Sequence, residues 1–365
     1  MSQHKDKATG KWYYTGKYKD LMGERHDYKK RGFDTKKKAK EAEEAFLIKI
    51  KGGSGRIKMK ALIELYHTES ASSIKQSTLK AYRRLEALSI LPVFGDRYCD
   101  DIKTMEVKKW IESIFQDGID GRRYSYSTTR NLLLHLSGLF TFAVDHEILA
   151  KNPCRKVKPP KDPNAVIEKQ NSEINFWEVD EYKRFIATID DIDRVDIYEF
   201  FFLTGVRIGE LAALQWSDLN FDTSKLFITK AVSAITTTIT TPKTTNSIRV
   251  IDMPKRLMKR LEARYERKKK TDGFTDSYFI FGDLRHASHA TIRRWFNEDV
   301  AKSGVKKITV HGLRHSHASY LLSNPMVSEL LVAERMGHTV EMLRSTYAHI
   351  YENRRSIMLD YIENL

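Results

Sequence analysis

Four short stretches carry side chains whose types and spacing could do chemistry. The densest is HGLRHSHASY at 311–320, with three histidines and an arginine in seven positions of a chain that holds 12 His in 365 residues. On a helix, His311 and Arg314 stand three apart and project together, so both can meet one phosphate. Histidine is also the commonest metal ligand and the commonest acid or base near neutral pH. A metal reading would pair His311 with His315, four apart as in the zinc helix H-E-x-x-H. Gly312 follows the first His, however, so that motif's carboxylate is missing. No Asp or Glu lies between Val300 and Glu329 to act as a third ligand, although His338 and His349 could serve. His315 and His317 read as helix-packing or supporting residues.

In TGVRIGELAAL (204–214), Arg207 sits near the start of a helix, where free backbone N–H groups and the positive end of the dipole suit a phosphate. Glu210 lies on the same face and could orient the guanidinium; the plainer reading is a surface ion pair of little worth. In TTPKTTNSIRV, Lys243 occupies a threonine-rich turn between two strand-like runs. It could reach a bound backbone and protonate a leaving oxygen, or be a solvated loop lysine. ERMGHTVEMLRSTYAHI (334–350) offers His338 and, nine residues later, Tyr347. Nine residues of one continuous helix is a rotation of about 180°, so the two share a site only if the chain bends. Gly337–His338 is the expected break. Alone, Tyr347 reads as a half-buried core residue.

These residues need elements to hold them. Residues 11–34 alternate aromatic and basic side chains between Gly16, Gly23 and Gly32 and predict short strands. Thr35 then caps a helix through AKEAEEAFLIKI. GGSG at 52–55 marks a boundary. From 56 to about 152, apolar residues recur at spacings of three and four, predicting four or five helices with Thr78 and Thr104 as caps. NPCRKVKPPKDPN at 152–164 holds four of the eight prolines and reads as a linker. Beyond it come helices at WEVDEYKRFIATID, DIYEFFFLTG and GELAALQW, a β-rich interlude over 225–254, and further helices to the end.

Composition narrows the partners. Lys and Arg exceed Asp and Glu by 15, and residues 1–60 alone carry 18 basic against 8 acidic side chains. Such a basic module points to a polyanion, most plausibly nucleic acid. The opening MSQHKDKATG lacks the apolar core of a secretory signal, and no stretch approaches ~18 apolar residues in a row. With two cysteines, Cys99 and Cys154, the expected location is a reducing cytoplasm.

Taken in order, Arg in TGxRxxEL, a hairpin Lys, His-x-x-Arg, Gly-His, and Tyr nine residues after that His resemble the tyrosine recombinase (phage integrase) family. All six positions are filled, by Arg207, Lys243, His311, Arg314, His338 and Tyr347, and the family's acidic neighbour falls on Glu210. Gly312 stands where Asp is frequent, and Met336 where Leu is frequent. The middle region, with PVFG at 92–95 and NP at 152–153, looks like the family's core-binding domain. The N-terminal module resembles the arm-type domain of integrases from Gram-positive phages or integrative conjugative elements.

The resemblance implies a multidomain fold, mainly α with small β-sheets. A three-stranded sheet plus helix would occupy 1–53, a helical DNA-binding domain 56–155, a linker 156–172, and an α+β catalytic domain with a C-terminal tail 173–365. It implies strand cleavage by Tyr347 through a 3′-phosphotyrosyl intermediate and a Holliday junction, with no cofactor, metal or ATP. His311 would be the base or hydrogen-bond partner, His338 a phosphate-positioning group and Lys243 the general acid. Glu210 and His315 would support them. Candidate DNA contacts are Lys11, Tyr14, Lys17, Lys19, Arg25, Lys75, Lys80, Arg83, Arg130 and Arg293. Implied partners are duplex DNA with core-type and arm-type attachment sites, a homotetramer on that DNA in a bacterial nucleoid, and an excision factor. In the tail, Ile357, Met358, Tyr361, Ile362 and Leu365 form an apolar stripe expected to dock on a neighbouring protomer. The rival readings are a type IB topoisomerase, a metal-dependent nuclease and a non-enzymatic DNA-binding regulator.

Overall fold

The computed structural model describes residues 2–7, 9–19, 25–51, 57–71, 73–119, 121–159, 175–241, 247–347, 359 and 362–364. The chain divides into two compact units, Met1–Val166 and Ile167–Leu365.

The first unit opens with an antiparallel sheet in the order β1 (Ser2–Lys5), β2 (Trp12–Lys19), β3 (Arg25–Phe33), followed by α1 (Lys36–Lys51). Side chains alternate across a strand, so successive residues of β2 face opposite ways. Tyr14 turns inward, 2% exposed, and joins Tyr28 and Leu47 in a small core with Phe33 and Phe46 against it. This corrects the expectation that Tyr14 contacts DNA: strand register turns its side chain into the core and leaves the opposite face of the sheet to its neighbours. Gly16 is required by close approach, since a Cβ there would stand 2.4 Å from the Tyr28 Oη. The Tyr28 phenol donates to the buried Glu43 carboxylate on α1 at 3.0 Å, fastening helix to sheet. Thr35 Oγ1 accepts the Lys38 N–H, as expected of a cap.

Five helices follow, α2 (Met59–Ser70), α3 (Gln76–Leu85), α4 (Leu91–Phe94), α5 (Thr104–Asp117) and α6 (Tyr126–Asp145), with a π turn at Glu86–Ile90. They share a core that includes Met59, Leu62, Phe94, Trp110, Leu136 and Phe140. The π turn carries Glu86, buried and bonded to His67 on α2 at 2.7 Å and to His135 on α6 at 2.8 Å. Thr78 and Thr104 are not caps. The N-cap positions are Lys75 and Lys103, and the Glu106 carboxylate takes the Lys103 N–H instead.

The second unit holds α7 (Val179–Ile186), α8 (Ile192–Thr204), α9 (Ile208–Ala213), a sheet in the order β4 (Leu219–Asn220), β5 (Lys225–Ile228), β8 (Arg249–Asp252), and a two-stranded ribbon β6 (Ala231–Val232), β7 (Ile239–Thr240). Helices α10 (Lys255–Lys268), α11 (His289–Ser303), α12 (Val310–Ser323), α13 (Glu329–Met336) and α14 (Val340–Thr346) complete it. The core is aromatic-rich, with Trp177, Phe185, Tyr198, Phe200, Phe201 and Phe296 nearly or fully buried. Trp177 ties the start of the unit to α12 and to the segment before it: its backbone N–H reaches Ser316 Oγ at 2.8 Å and its indole N–H the Lys306 carbonyl at 2.6 Å. No helix among the described residues is long and apolar enough to cross a membrane.

Candidate active site

Helix α8 ends at Gly205, in the left-handed conformation (φ 65°) that only glycine adopts freely. A Cβ there would also lie 2.5 Å from the His317 ring and 2.8 Å from Met336 Sδ. The chain thus turns tightly enough to put Arg207 at the N-cap of α9. Glu210, one turn on, accepts the Arg207 backbone N–H and its Nη1, both at 2.9 Å, while Arg207 Nη2 donates to the Gly337 carbonyl at 3.3 Å. The expected Arg207–Glu210 pair therefore exists, but it is not a surface pair. Glu210 is 3% exposed and is gripped a second time by Arg249, through Nη1 at 3.1 Å and Nη2 at 2.8 Å. Burial pushes the Glu210 carboxyl upward, yet the Arg249 bonds and charge outweigh it and hold the group at about 2.

Arg249 was absent from the sequence expectation. Its strand inverts the apparent alternation: Arg249, Ile251 and Met253 point inward while Ile248 and Val250 are exposed. The available signal was Asp252, which shares the Ile248–Val250 face and marks it as the wet one. Arg249 Nε also donates to the Arg335 carbonyl at 2.7 Å, joining β8 to α13. Breaking a buried pair by removing one partner strands the other charge. Arg249→Met is therefore expected to lower stability by about 3 kcal/mol or more. Adding Glu210→Gln should restore part of the thermal stability without restoring strand cleavage, because Arg207 has lost its holder.

Helix α12 carries the histidine cluster, and its four positions separate by contact. Arg314 is 1% exposed; it donates to the carbonyls of Gly205 and Met336 and, at 2.8 Å, to His338 Nε2. A guanidinium cannot accept, so His338 Nε2 must be the acceptor and its proton sits on Nδ1. Arg314 Nε and His338 Nδ1 are both buried and meet no acceptor among the described residues. Two buried donors of this kind leave hydrogen-bonding capacity unspent in the unit. His311 lines a cleft of roughly 380 Å³ with Val206, Ile208, Arg293, Asn297, Thr309 and Val310. Its imidazole stands edge-on to His315, with ring centroids 4.8 Å apart. His317 is a structural link: Nδ1 donates to the Phe202 carbonyl at 2.7 Å and Nε2 accepts from Arg335 at 3.2 Å.

The chain does turn at Gly337 (φ 63°), ending α13, and Thr339 caps α14 through its side chain. That turn brings His338 to Arg314. Tyr347, at the C-cap of α14, is 0% exposed and packs with Ala318, Leu322, Met336 and Leu343, so it is fully rather than half buried. Its hydroxyl meets His315 Nδ1 at 2.8 Å. His315, expected in support, is thus the residue bonded to the tyrosine oxygen. Burial pushes the Tyr347 phenol above its ordinary value, against the opposing Arg314 charge. Arg207, His311, Arg314, His338 and Tyr347 come together through these contacts. Lys243 lies outside the described residues, as do Ile357, Met358, Tyr361 and Leu365 of the tail; Ile362 is exposed.

Among the described residues of this unit, burial lowers the imidazoles of His289, His311, His315, His317 and His338, the second, fourth and fifth of them strongly. Burial first, then neighbouring arginines, puts His317 and His338 at about 3; burial, then His315 and the arginines, puts His311 at about 4, although part of its surface meets solvent. In the unfolded chain they would take up protons below about 6.5, whereas the folded unit resists protonation until far lower. Their contribution is complete above about pH 6.5 and lost as pH falls toward 4. Melting temperature is therefore expected to drop between pH 7.5 and 5.0, and His317→Asn to flatten that dependence. An unchanged slope in the variant would assign the acid sensitivity elsewhere.

Of the candidate DNA contacts, Lys11, Lys17, Lys75, Lys80, Arg83, Arg130 and Arg293 are exposed, while the side chains of Lys19 and Arg25 lie outside the described residues. On the sheet face away from α1, Tyr13 is flanked by Lys29 (4.9 Å), Arg31 (5.6 Å) and the His4 ring (5.4 Å).

Comparison with known proteins agrees with this arrangement. The sequence matches the phage integrase family over residues 175–354, an arm DNA-binding domain over 2–50, and the phage integrase N-terminal SAM-like domain over 58–115. It is 30% identical to the ICEBs1 integrase of Bacillus subtilis across 66% of each chain. It is 26% identical to the prophage ps2 probable integrase of Lactococcus lactis across 97% of each. In fold it resembles the Tn1549 transposon integrase in complex with transposon right end DNA, with TM-score 0.63 and 21% identity over 82% of this chain and 98% of that one. A lambda integrase dimer bound to a core site gives TM-score 0.58 and 18% identity over 94% of each chain. With a buried arginine, a histidine-held tyrosine and these matches along most of its length, the chain belongs to the phage integrase family of tyrosine recombinases.

Proposed function

We propose that this chain is a site-specific DNA integrase whose Tyr347 attacks a scissile phosphodiester. The attack forms a 3′-phosphotyrosyl bond and frees a 5′-hydroxyl, and the reverse step on a partner duplex passes through a Holliday junction. The observation that carries this reading is the set of contacts Glu210–Arg207–Gly337, His338–Arg314 and His315–Tyr347, joined through chain neighbours, with two unpartnered buried donors among them. Arg207 and Arg314 stay charged and match phosphoryl oxygens, His338 adds a third donor, and Lys243 would protonate the leaving oxygen. His311, a neutral residue of the cleft lining, would be the base or hydrogen-bond partner. These fixed cations do the electrostatic work, so the reading asks for no cofactor or divalent metal. The covalent bond conserves phosphodiester energy, so no ATP is required.

Exchange between two duplexes cuts four strands, which implies a homotetramer on DNA; a solved relative is a lambda integrase tetramer bound to a Holliday junction. We assign residues 1–53 to arm-type sites, 56–155 to core-type sites and 173–365 to catalysis, joined by a linker at 156–172. The arm face would be the Tyr13–Lys29–Arg31 surface. An excision factor and a bacterial nucleoid setting complete the proposal. The arm match disfavours a relaxing topoisomerase, which needs no second binding site. A nuclease would use His311 and His315 on a metal; instead the two rings meet edge to face, and His315 Nδ1 is taken by Tyr347. The test is a nicked suicide duplex carrying the attachment core, incubated in EDTA. A denaturation-resistant adduct supports the proposal; cleavage that requires a divalent metal overturns it.

A further inference from the structure

We infer that His315 is a positioning residue that shelters the nucleophile at rest: its Nδ1 holds the Tyr347 hydroxyl inside the α12–α14 cluster, and breaking that bond releases the phenol. This rests on the reading of Tyr347 as the nucleophile. A side chain 0% exposed cannot present its oxygen to a phosphodiester of duplex DNA, so the described arrangement is a stored one. A buried hydroxyl without a partner is costly, and His315 is the partner the structure assigns to it. The His315 ring meets the His311 ring in turn, whose plane stands at 90° to it. Tyr347 also sits at a point where release is local. It is the C-cap of α14, with φ −113° and ψ 32°, outside the regular helix, and its N–H bond to Leu343 can survive a swing of the side chain. Arg314 precedes His315 on α12, so a phosphate arriving at the arginine would change the charge beside the storing bond.

The direction of the hydrogen bond follows from the surroundings. Burial, with the Arg314 charge, lowers the His315 imidazole, while burial raises the phenol. Both groups therefore stay neutral; the buried hydroxyl meets no other acceptor among the described residues, so it spends its proton on His315 Nδ1, and His315 needs only an acceptor at that position. The amide oxygen of asparagine occupies nearly that position, whereas phenylalanine keeps the ring volume and offers no acceptor.

The test uses the full chain without DNA, treated with tetranitromethane, with nitration of each tyrosine read by peptide mass spectrometry. Tyr320, 54% exposed, is the internal reactive standard, and Tyr198, 0% exposed, reports loosening of the unit as a whole. His315→Phe is expected to raise Tyr347 nitration on the order of tenfold while Tyr198 stays protected, and His315→Asn to keep Tyr347 within about twofold of wild type. A merely space-filling role predicts the reverse ranking, because Phe fills the site better than Asn. His315→Leu, of different shape, must behave as Phe does; if either acceptor-less variant protects Tyr347 as wild type does, or Asn exposes it equally, the inference falls. The suicide-duplex adduct, run in parallel on wild type, keeps the outcomes apart: absence of adduct overturns the integrase reading, whereas an adduct with unchanged nitration in the Phe variant overturns only the sheltering role.

Discussion

Tyr347→Phe is expected to abolish the covalent protein–DNA adduct on a nicked suicide duplex, by on the order of 10⁵-fold or more. The change deletes one oxygen, and that oxygen is the atom proposed to bond phosphorus. Even in the wild type the step is demanding. A phenol of ordinary value near 10 costs about 4 kcal/mol to ionise at neutral pH, and burial raises that cost until the side chain leaves its cluster. Arg314 is the group that pulls the other way. The substitution should leave the fold nearly untouched, because the ring and its packing remain. Losing the His315 bond should cost about 1 kcal/mol. Binding to attachment-site DNA is expected to persist, so filter or mobility assays should separate binding from chemistry. An adduct that survives in the Phe variant would remove Tyr347 from the reaction.

Arg314→Lys should reduce the rate of adduct formation by about 10²–10³-fold while keeping the positive charge. The argument turns on shape. Arg314 uses a planar fork to reach three acceptors at once, the Gly205 carbonyl from one segment and the Met336 carbonyl and His338 Nε2 from the turn at Gly337. A lysine ammonium is a point charge on a flexible stem and cannot span them. At least one buried acceptor would then go unsatisfied, so a stability loss of about 1–3 kcal/mol should accompany the kinetic one. A lysine variant with wild-type single-turnover rate would show that charge alone suffices at this position. Because Arg314 also fixes the His338 tautomer, Arg314→Lys combined with His338→Gln should fall short of the product of the two single losses.

Local residue types and spacing were enough to establish a good deal here. The tight turn at Gly205 before Arg207, the helix start at Arg207 and the break at Gly337 all depend on short-range rules, whereas the reactive set ending at Tyr347 is an expectation from the family resemblance and not from spacing alone. The rules are the left-handed helix end and the N-cap. The three-stranded module, the helical middle region and the mixed C-terminal unit were legible for the same reason. Other features turned on strand register or on contacts between distant segments. Which face of β2 is wet decides that Tyr14 is core and Tyr13 is surface. Which face of β8 is wet hides Arg249, the second grip on Glu210. The partner of Tyr347 is the third case. His311 and His315 are equivalent on paper, four apart on one helix, and only the packing of α14 against α12 gives the hydroxyl to His315. A one-dimensional pattern states which groups can meet a phosphate; the packing of segments 32 to 109 residues apart decides which of them hold one another.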